Sequence, residues 1–189
     1  MSLWKDPIER VEAGGVRTRD EFIELDVLVL AIGFDAMTGA LDRIDIRGRD
    51  GRVLREEWTD GPHTYLGLQM EGFPNLFTVT GPGSPSVLSN MIVGIEHHVE
   101  WIVRCITDMR AKGRSTIEPT TDAQEAWVEH VRTVAQGTMF VDPSCNSWYL
   151  GVNVPGKPRV FLPYVGGFDR YVREVDAIVD DGYRGFAFA

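Results

Sequence analysis

The stretch GPGSPSVLS, Gly81 to Ser89, runs directly into NMIVGIEHHVEW, Asn90 to Trp101, and its reading decides how the rest of the chain is organised. Two glycines let a backbone approach a ligand or another segment closely, and two prolines stiffen the turn. The helix that follows carries the positive end of its dipole at the N-terminus. Such a junction either holds a cofactor oxygen or phosphate, or is an ordinary strand-to-helix connection with Ser89 or Asn90 as N-cap. Both readings stand on these residues alone.

Working outward, Phe73-Pro74-Asn75 leads into an apolar run, Leu76 to Thr80, expected as a strand that ends at the loop. On the other side Ile92, Ile95, Val99, Ile102, Ile106 and Met109 recur at intervals of three and four, the stripe of a helix packed on a sheet, and Gly113 is its C-cap. Thr121 to Gln124 reads as a capping box for a second helix with Trp127, Val128, Val131, Val134 and Ala135 on its apolar face. Phe168 to Asp181, closed by Gly182, is a third. Between the last two, Val141 to Gly167 is rich in Gly, Pro, Asn and Ser, a loop long enough to be functional or mobile. Nearer the N-terminus, Ile8–Ala13 and Val16–Leu25 flank Gly14-Gly15 as a hairpin. DVLVLA, Asp26 to Ala31, fits a strand buried on both faces of a parallel sheet and stops at Gly33. A second hairpin is expected from Ile44–Arg47 and Val53–Trp58 through Gly48-Arg49-Asp50-Gly51. These elements make an α/β chain with β-hairpins and three main helices. No internal repeat or domain linker interrupts it, and Met1-Ser2-Leu3 reads as a short expression leader.

With 189 residues, 43% hydrophobic and 25% charged, the composition is that of a globular domain rather than a disordered chain. A net charge of −9 without charge blocks argues against nucleic-acid or anionic-membrane partners. No apolar run has the length of a membrane helix. Cys105 and Cys145 are too few for a disulfide framework, so the cytoplasm is the expected compartment.

Several chemistries lack their signatures. There is no G-x-G-x-x-G, no Walker loop and no G-x-S-x-G elbow. His97 and His98 are adjacent on a helix and point about 100° apart, so they do not share a metal; one is expected at the core edge and one in solvent. His63 and His130 have no ligand at metal spacing, and no metal site is expected. Trp101 and Trp127 fall on helical faces and read as core, whereas Trp148 sits in the long loop without a periodic partner. It either anchors that loop to the core or serves a ligand.

Three segments carry a resemblance to a known family. DVLVLAIGFDA (Asp26–Ala36) resembles the acidic-residue, apolar-strand, A-T-G-[FY] motif of flavin-dependent monooxygenases, with Ile32 where threonine is usual. FPNLFTVTGPGSPSVLSNM (Phe73–Met91) and SWYLGVNVPGKPRVFLPYVGG (Ser147–Gly167) are similar to the C-terminal third of FAD- and NADPH-dependent Baeyer–Villiger monooxygenases, of the phenylacetone, steroid and cyclohexanone group. The resemblance runs from about Asp6 to Phe188.

It implies an incomplete part of a Rossmann-like FAD-binding domain, residues 1–189, with a mobile control loop at 141–167. The family's two dinucleotide fingerprints, its F-x-G-x-x-x-H-x-x-x-W signature and its catalytic arginine lie upstream of the matching region. The missing N-terminal part of the same enzyme is therefore an implied partner, and the isolated chain is expected to be inactive, with no catalytic residue of its own. The implied activity inserts one oxygen of O2 into a ketone. Carried over onto this sequence, Gly33, Asn90 and Met91 approach FAD, and Val87, Leu88, Met91, Leu162 and Pro163 line the ketone pocket. Trp148 reaches the nicotinamide ribose of NADP. Lys157 either meets phosphate or is an exposed loop lysine. A flavin N- or S-oxygenase fragment and a cofactor-free packing module are the competing readings.

Overall fold

A computed structural model of the chain describes residues 5–31, 33, 35–144 and 146–189; the expectations placed on Met1–Leu3, Ile32 and Cys145 lie outside them. The chain divides into two compact units, residues 1–33 and 34–189.

The first unit holds a three-stranded antiparallel meander, β1 (Ile8–Glu12), β2 (Gly15–Thr18) and β3 (Phe22–Glu24), in the order β1-β2-β3. The expected hairpin around Gly14-Gly15 is present. Val16–Leu25, however, is two strands, because Thr18 turns the chain: its N–H and hydroxyl both donate to Glu21 O, and its Oγ1 accepts the Glu21 N–H. DVLVLA is not a strand. Val27, Val29 and Leu30 are 75%, 80% and 72% exposed, and among the described residues no strand lies beside them. A segment apolar on both faces forms a ladder only between partner strands.

The second unit contains α1 (Gly39–Asp42), α2 (Leu54–Glu57), α3 (Met91–Ala111), β4 (Ile117–Pro119), α4 (Thr121–Ala135), α5 (Phe168–Asp180) and β5 (Phe186–Phe188). β4 and β5 form an antiparallel pair. The second expected hairpin shrinks to one bridge, Arg47 to Val53. Beyond it Leu54 and Trp58, both buried, are spaced by four, and the chain turns helical as α2 instead of extending. Leu76–Thr80 is likewise not a strand; it is held by single bonds such as Thr78 N–H to Leu68 O (2.8 Å) and the Thr78 hydroxyl to Gly67 O (2.9 Å).

The three main helices lie where periodicity puts them, with two corrections. Asn90 caps α3, its Oδ1 accepting the Ile92 N–H at 3.0 Å, and Gly113 at φ 64° closes it as expected. The buried face of α3 is nevertheless Gly94, His98, Trp101, Cys105 and Met109. Ile92, Ile95 and Val99 of the expected stripe are 67%, 38% and 45% exposed. On α4 the cap is Thr120, whose side chain accepts the Ala123 N–H. Gln124 does not reach back as a capping box requires, because it is buried and accepts the Glu71 N–H at 2.8 Å. The α4 face buries Trp127, Val131 and Ala135 as read, and α5 ends at Gly182, φ 68°.

The principal core gathers Leu66 and Leu68, Trp101 and Cys105 of α3, Trp127 and Val131 of α4, Tyr164, and Tyr171 and Val175 of α5. Leu54, Trp58, Met70 and Phe73 form a smaller one. Among the described residues no helix is long and apolar enough to cross a membrane.

Candidate functional site

The loop from Gly81 to Ser89 is wedged into the second unit by its own backbone. The Gly81 N–H donates to Gly67 O (3.2 Å), Gly83 N–H to Leu162 O (2.7 Å) and Ser84 N–H to Gly81 O (3.1 Å). Its carbonyls are taken as well, Pro82 O by the Thr64 hydroxyl (2.5 Å) and Gly83 O by the Trp127 indole N–H (3.0 Å). The glycine requirement is steric. Gly83 sits at φ 83°, and a Cβ there would stand 3.0 Å from Thr64 Oγ1 and 3.2 Å from Trp127 Nε1. The loop amides thus bind protein rather than an anion, which corrects the expectation of a bare amide cradle.

Unspent donors remain one turn later. In the first turn of α3 Ile92 N–H goes to the Asn90 side chain and Gly94 N–H to Asn90 O, leaving the amides of Met91 and Val93 without a partner among the described residues. Two non-glycine residues are strained, Thr80 just before the loop and Ser86 within it, with φ of 52° and 46°. A non-glycine residue in that region costs on the order of 1–3 kcal/mol and persists only where its surroundings enforce it.

What enforces Thr80 is a buried relay. Its N–H donates to His98 Nδ1 at 2.9 Å, so the ring proton resides on Nε2 and is donated to Tyr171 Oη (2.7 Å), which in turn donates to Leu66 O (2.6 Å). His98 is 1% exposed, and burial, with a smaller contribution from His97, pushes its pKa down to about 4. The imidazole is therefore neutral at pH 7. Sequence reasoning missed this residue, although Gly94, His98, Trp101, Cys105 and Met109 recur at helical spacing. His97, expected with His98 to supply one solvent-facing ring, has a side chain only 15% exposed, 3.4 Å from Asp176. His63 lies 2.8 Å from Glu125, a carboxylate distant in sequence.

The long loop is fastened to the same place. Tyr164 N–H donates to Ser84 O (2.7 Å), which with the Gly83 to Leu162 bond lays Leu162–Tyr164 against Gly83–Ser84. Leu162 and Pro163 are buried beside the loop that carries Val87, which is 38% exposed, and half-buried Leu88. Met91 is half-buried, its sulfur 3.8 Å from the Ser86 hydroxyl. Trp148 opens a short 3-10 turn capped by Ser147. It is half-buried against Tyr149, ring centroids 4.3 Å apart, and its indole N–H has no partner among the described residues.

Lys157 differs from both expectations. Its Nζ donates to Asp35 Oδ1 (2.7 Å), Asp42 Oδ2 (2.8 Å) and Thr38 Oγ1 (2.5 Å). Burial works against the ammonium, but the two carboxylates outweigh it and hold the pKa above the usual lysine value. All three donors are filled, which leaves none for a phosphate. Gly33, at φ 75°, belongs to the first unit.

No family model matches the chain. It is 45% identical over 186 residues to an acetone monooxygenase (methyl acetate-forming) from Gordonia sp. strain TY-5, covering 97% of this chain and 34% of that protein. It is 38% identical to a phenazine N-monooxygenase from Lysobacter antibioticus, over 98% of this chain and 34% of the relative. Among solved structures, a closed cyclohexanone monooxygenase superposes with TM-score 0.90 at 41% identity, over 100% of this chain and 35% of the other. An oxidized steroid monooxygenase bound to NADP gives 0.84 at 46%, over 100% and 34%. The chain spans about a third of the length of each of these proteins. In sequence and in backbone, the chain is a homologue of the Baeyer–Villiger monooxygenases and corresponds to about a third of one.

Proposed function

We propose that residues 1–189 are the C-terminal part of the FAD-binding domain of a flavoprotein monooxygenase, one that inserts an oxygen atom of O2 beside a ketone carbonyl to give an ester or lactone. The carrying observation is the hydrogen-bonded meeting of Gly83–Ser84 with Leu162–Tyr164, which brings the two most specific sequence segments into one place. The relatives' cofactors, FAD and NADPH, supply the redox chemistry: reduction by NADPH readies the flavin to activate O2. This chain's part is to bind, orient and exclude water.

Two features suit those cofactors. The amides of Met91 and Val93, unpaired among the described residues at the head of a 21-residue helix, suit the polar edge of a flavin ring. The indole N–H of half-buried Trp148, without a partner among the described residues, suits a ribose hydroxyl, because indole nitrogen is a donor only. Asn90 holds the first turn in shape, and Gly33 permits close backbone approach to FAD. Val87, Leu88 and Met91 form one wall of the ketone pocket and Leu162 and Pro163 the other. Loop 141–167 is the control loop that folds over NADP.

The exposed run Val27–Leu30 and the exposed row Ile92, Ile95 and Val99 are surfaces that the remaining N-terminal part of the enzyme covers. In this reading Asp26–Ala31 becomes a parallel strand of a Rossmann-like sheet once its neighbours are supplied. The compartment is cytoplasmic.

The phenazine N-monooxygenase match favours a second reading for the oxygen acceptor, an aromatic nitrogen in place of a carbonyl. The test has two parts. Coding sequence upstream of Trp4 is expected to encode a Baeyer–Villiger signature flanked by two G-x-G-x-x-G motifs. The 189-residue chain alone is expected not to oxidise NADPH, whereas the extended polypeptide does so with a ketone and forms an ester. Oxidation of a phenazine with no ester from any ketone selects the second reading, and ketone-dependent turnover by the isolated chain refutes the first.

A further inference from the structure

The segment from Ser147 to Leu162 doubles back on itself. Val160 N–H donates to Leu150 O (3.2 Å) and Leu162 N–H to Tyr149 O (2.8 Å), so the excursion between Gly151 and Arg159 begins and ends side by side. Leu150 and Leu162, 4% and 6% exposed, anchor its base. The turn at its far side is made with Gly156 at φ 86°. From that turn the Lys157 side chain crosses to α1 and takes Asp35, Thr38 and Asp42 at once. The receiving segment is itself tied to the Gly81–Ser89 loop, since the Ser86 hydroxyl lies 3.2 Å from Met37 Sδ. Between α1, α2 and the excursion is a cavity of about 290 Å³ whose lining includes Asp35, Asp42, Trp58, Lys157 and Leu162. Lys157 therefore joins one wall of this cavity to another.

We propose that Lys157 is a positioning residue, a three-point clamp that closes the Ser147–Leu162 loop onto α1 and thereby sets where Trp148 and Leu162 stand; its role in turnover rests on the monooxygenase reading above. One cation lies between two carboxylates whose side chains are 20% and 26% exposed, and its own is 23% exposed. Ion pairs at this depth are partly screened. The contact is therefore firm enough to hold a loop and weak enough to open. Removing the ammonium also leaves Asp35 and Asp42 facing each other without a counter-charge, so the loop is released and α1 gains a repulsion. Methionine keeps the length and apolar character of the stem. Lys157→Met consequently removes the ammonium with its three hydrogen bonds and keeps the packing of the stem.

Hydrogen exchange of the 189-residue chain reads the clamp without any cofactor. At low salt Lys157→Met is expected to speed exchange at least tenfold at the amides of Gly151, Val154, Val160 and Leu162, with α5 unchanged. Lys157→Arg is expected to restore part of the protection, because the charge returns with a different fork. Raising salt to 1 M is expected to loosen the loop of the unsubstituted chain and not to loosen that of Lys157→Met any further. Unchanged loop exchange in Lys157→Met, or equal acceleration in α5, overturns the clamp. In the extended, flavin-loaded polypeptide the same variant is expected to divert a several-fold larger share of NADPH to hydrogen peroxide at unchanged flavin content. Loosened exchange with normal coupling overturns the positioning role. Absence of ketone turnover in the unsubstituted enzyme counts against the monooxygenase reading, and the exchange measurements still decide the clamp.

Discussion

Acidification is expected to unfasten the relay through His98 before it disturbs the rest of the fold. An unfolded histidine titrates near 6.5, and in the folded chain burial holds His98 at about 4. Between those values the unfolded state binds more protons than the native state, so stability rises with pH in that window. The His98 contribution is fully present above pH 6.5, falls as pH drops toward 4, and is constant below that. The displacement amounts to about 3 kcal/mol, lost at no more than about 1.4 kcal/mol per pH unit. That is a sizeable share of a stability expected at about 5–15 kcal/mol. The structural cause is specific: a proton on Nδ1 points a donor at the Thr80 N–H, which has the ring as its acceptor. Urea unfolding followed by tryptophan fluorescence at pH 7.5 to 4.0 measures it, with His98→Gln as the non-titrating comparison. The substituted chain has no ring to bridge Thr80 and Tyr171, so it is expected to be less stable at pH 7.5. The two stability curves are then expected to converge as the pH approaches 4. A difference between them that stays constant to within about 0.5 kcal/mol across the range refutes the reasoning, because a histidine with an ordinary folded pKa gives no such convergence.

Three further outcomes are expected. Trp148→Ala in the extended enzyme should slow ketone oxidation and raise the hydrogen peroxide fraction with the melting temperature nearly unchanged, since among the described residues its indole meets only the Tyr149 ring and its N–H has no partner; loss of one neutral hydrogen bond is worth about 0.5–1.5 kcal/mol, and loop opening adds to that. A large fall in melting temperature with normal coupling would instead make Trp148 a loop anchor. Met91→Gly should reorder kcat/KM among small and bulky ketones more than it lowers flavin content, because the sulfur lies beside Ser86 at the head of α3 while the amide stays in place. Gly83→Ala should destabilise the chain by about 1–3 kcal/mol in urea unfolding, as its φ of 83° and the nearness of Thr64 and Trp127 both oppose a Cβ; a change within about 0.5 kcal/mol would mean that the loop gives way freely.

Local signals were legible where local interactions decide the outcome. An N-cap at Ser89 or Asn90, which the fold resolves to Asn90, Gly113 and Gly182 as helix ends, and Trp101 and Trp127 as core follow from caps, left-handed glycines and helical spacing, which need only a few neighbouring residues. Long-range pairing was not legible. The bonds from Gly83 to Leu162 and from Ser84 to Tyr164 join segments far apart in sequence, and no periodicity announces that loop amides will be spent on another loop. Lys157 illustrates the same limit. A lysine in a Gly- and Pro-rich loop reads as solvated or phosphate-binding until the fold brings Asp35 and Asp42 beneath it. His98 was hidden for a different reason: as one of two adjacent histidines it is assigned to a face only by knowing which apolar row of α3 is turned inward.

That last ambiguity has a physical origin that also accounts for the misread strands. α3 is apolar around much of its circumference, with Ile92, Ile95 and Val99 on one row and Trp101, Cys105 and Met109 on another. A helix patterned in this way is suited to burial on more than one side. Periodicity selects the row with more β-branched residues; the fold buries the row that carries Gly94, His98 and Trp101, with Gly94 facing Thr80 and Phe168. DVLVLA has the same property in extended form, since a run without polar alternation specifies two buried faces and says nothing about which partners supply them. In both cases the hydrophobic pattern encodes more burial than these residues provide among themselves, which is why Val27, Val29, Leu30 and Ile92 stand 67–80% exposed. Pattern reading assumes that every apolar face closes within the sequence being read. Here the faces on which it failed are the exposed ones, Val27–Leu30 and the row of Ile92, Ile95 and Val99, in a chain that spans about a third of the length of its relatives.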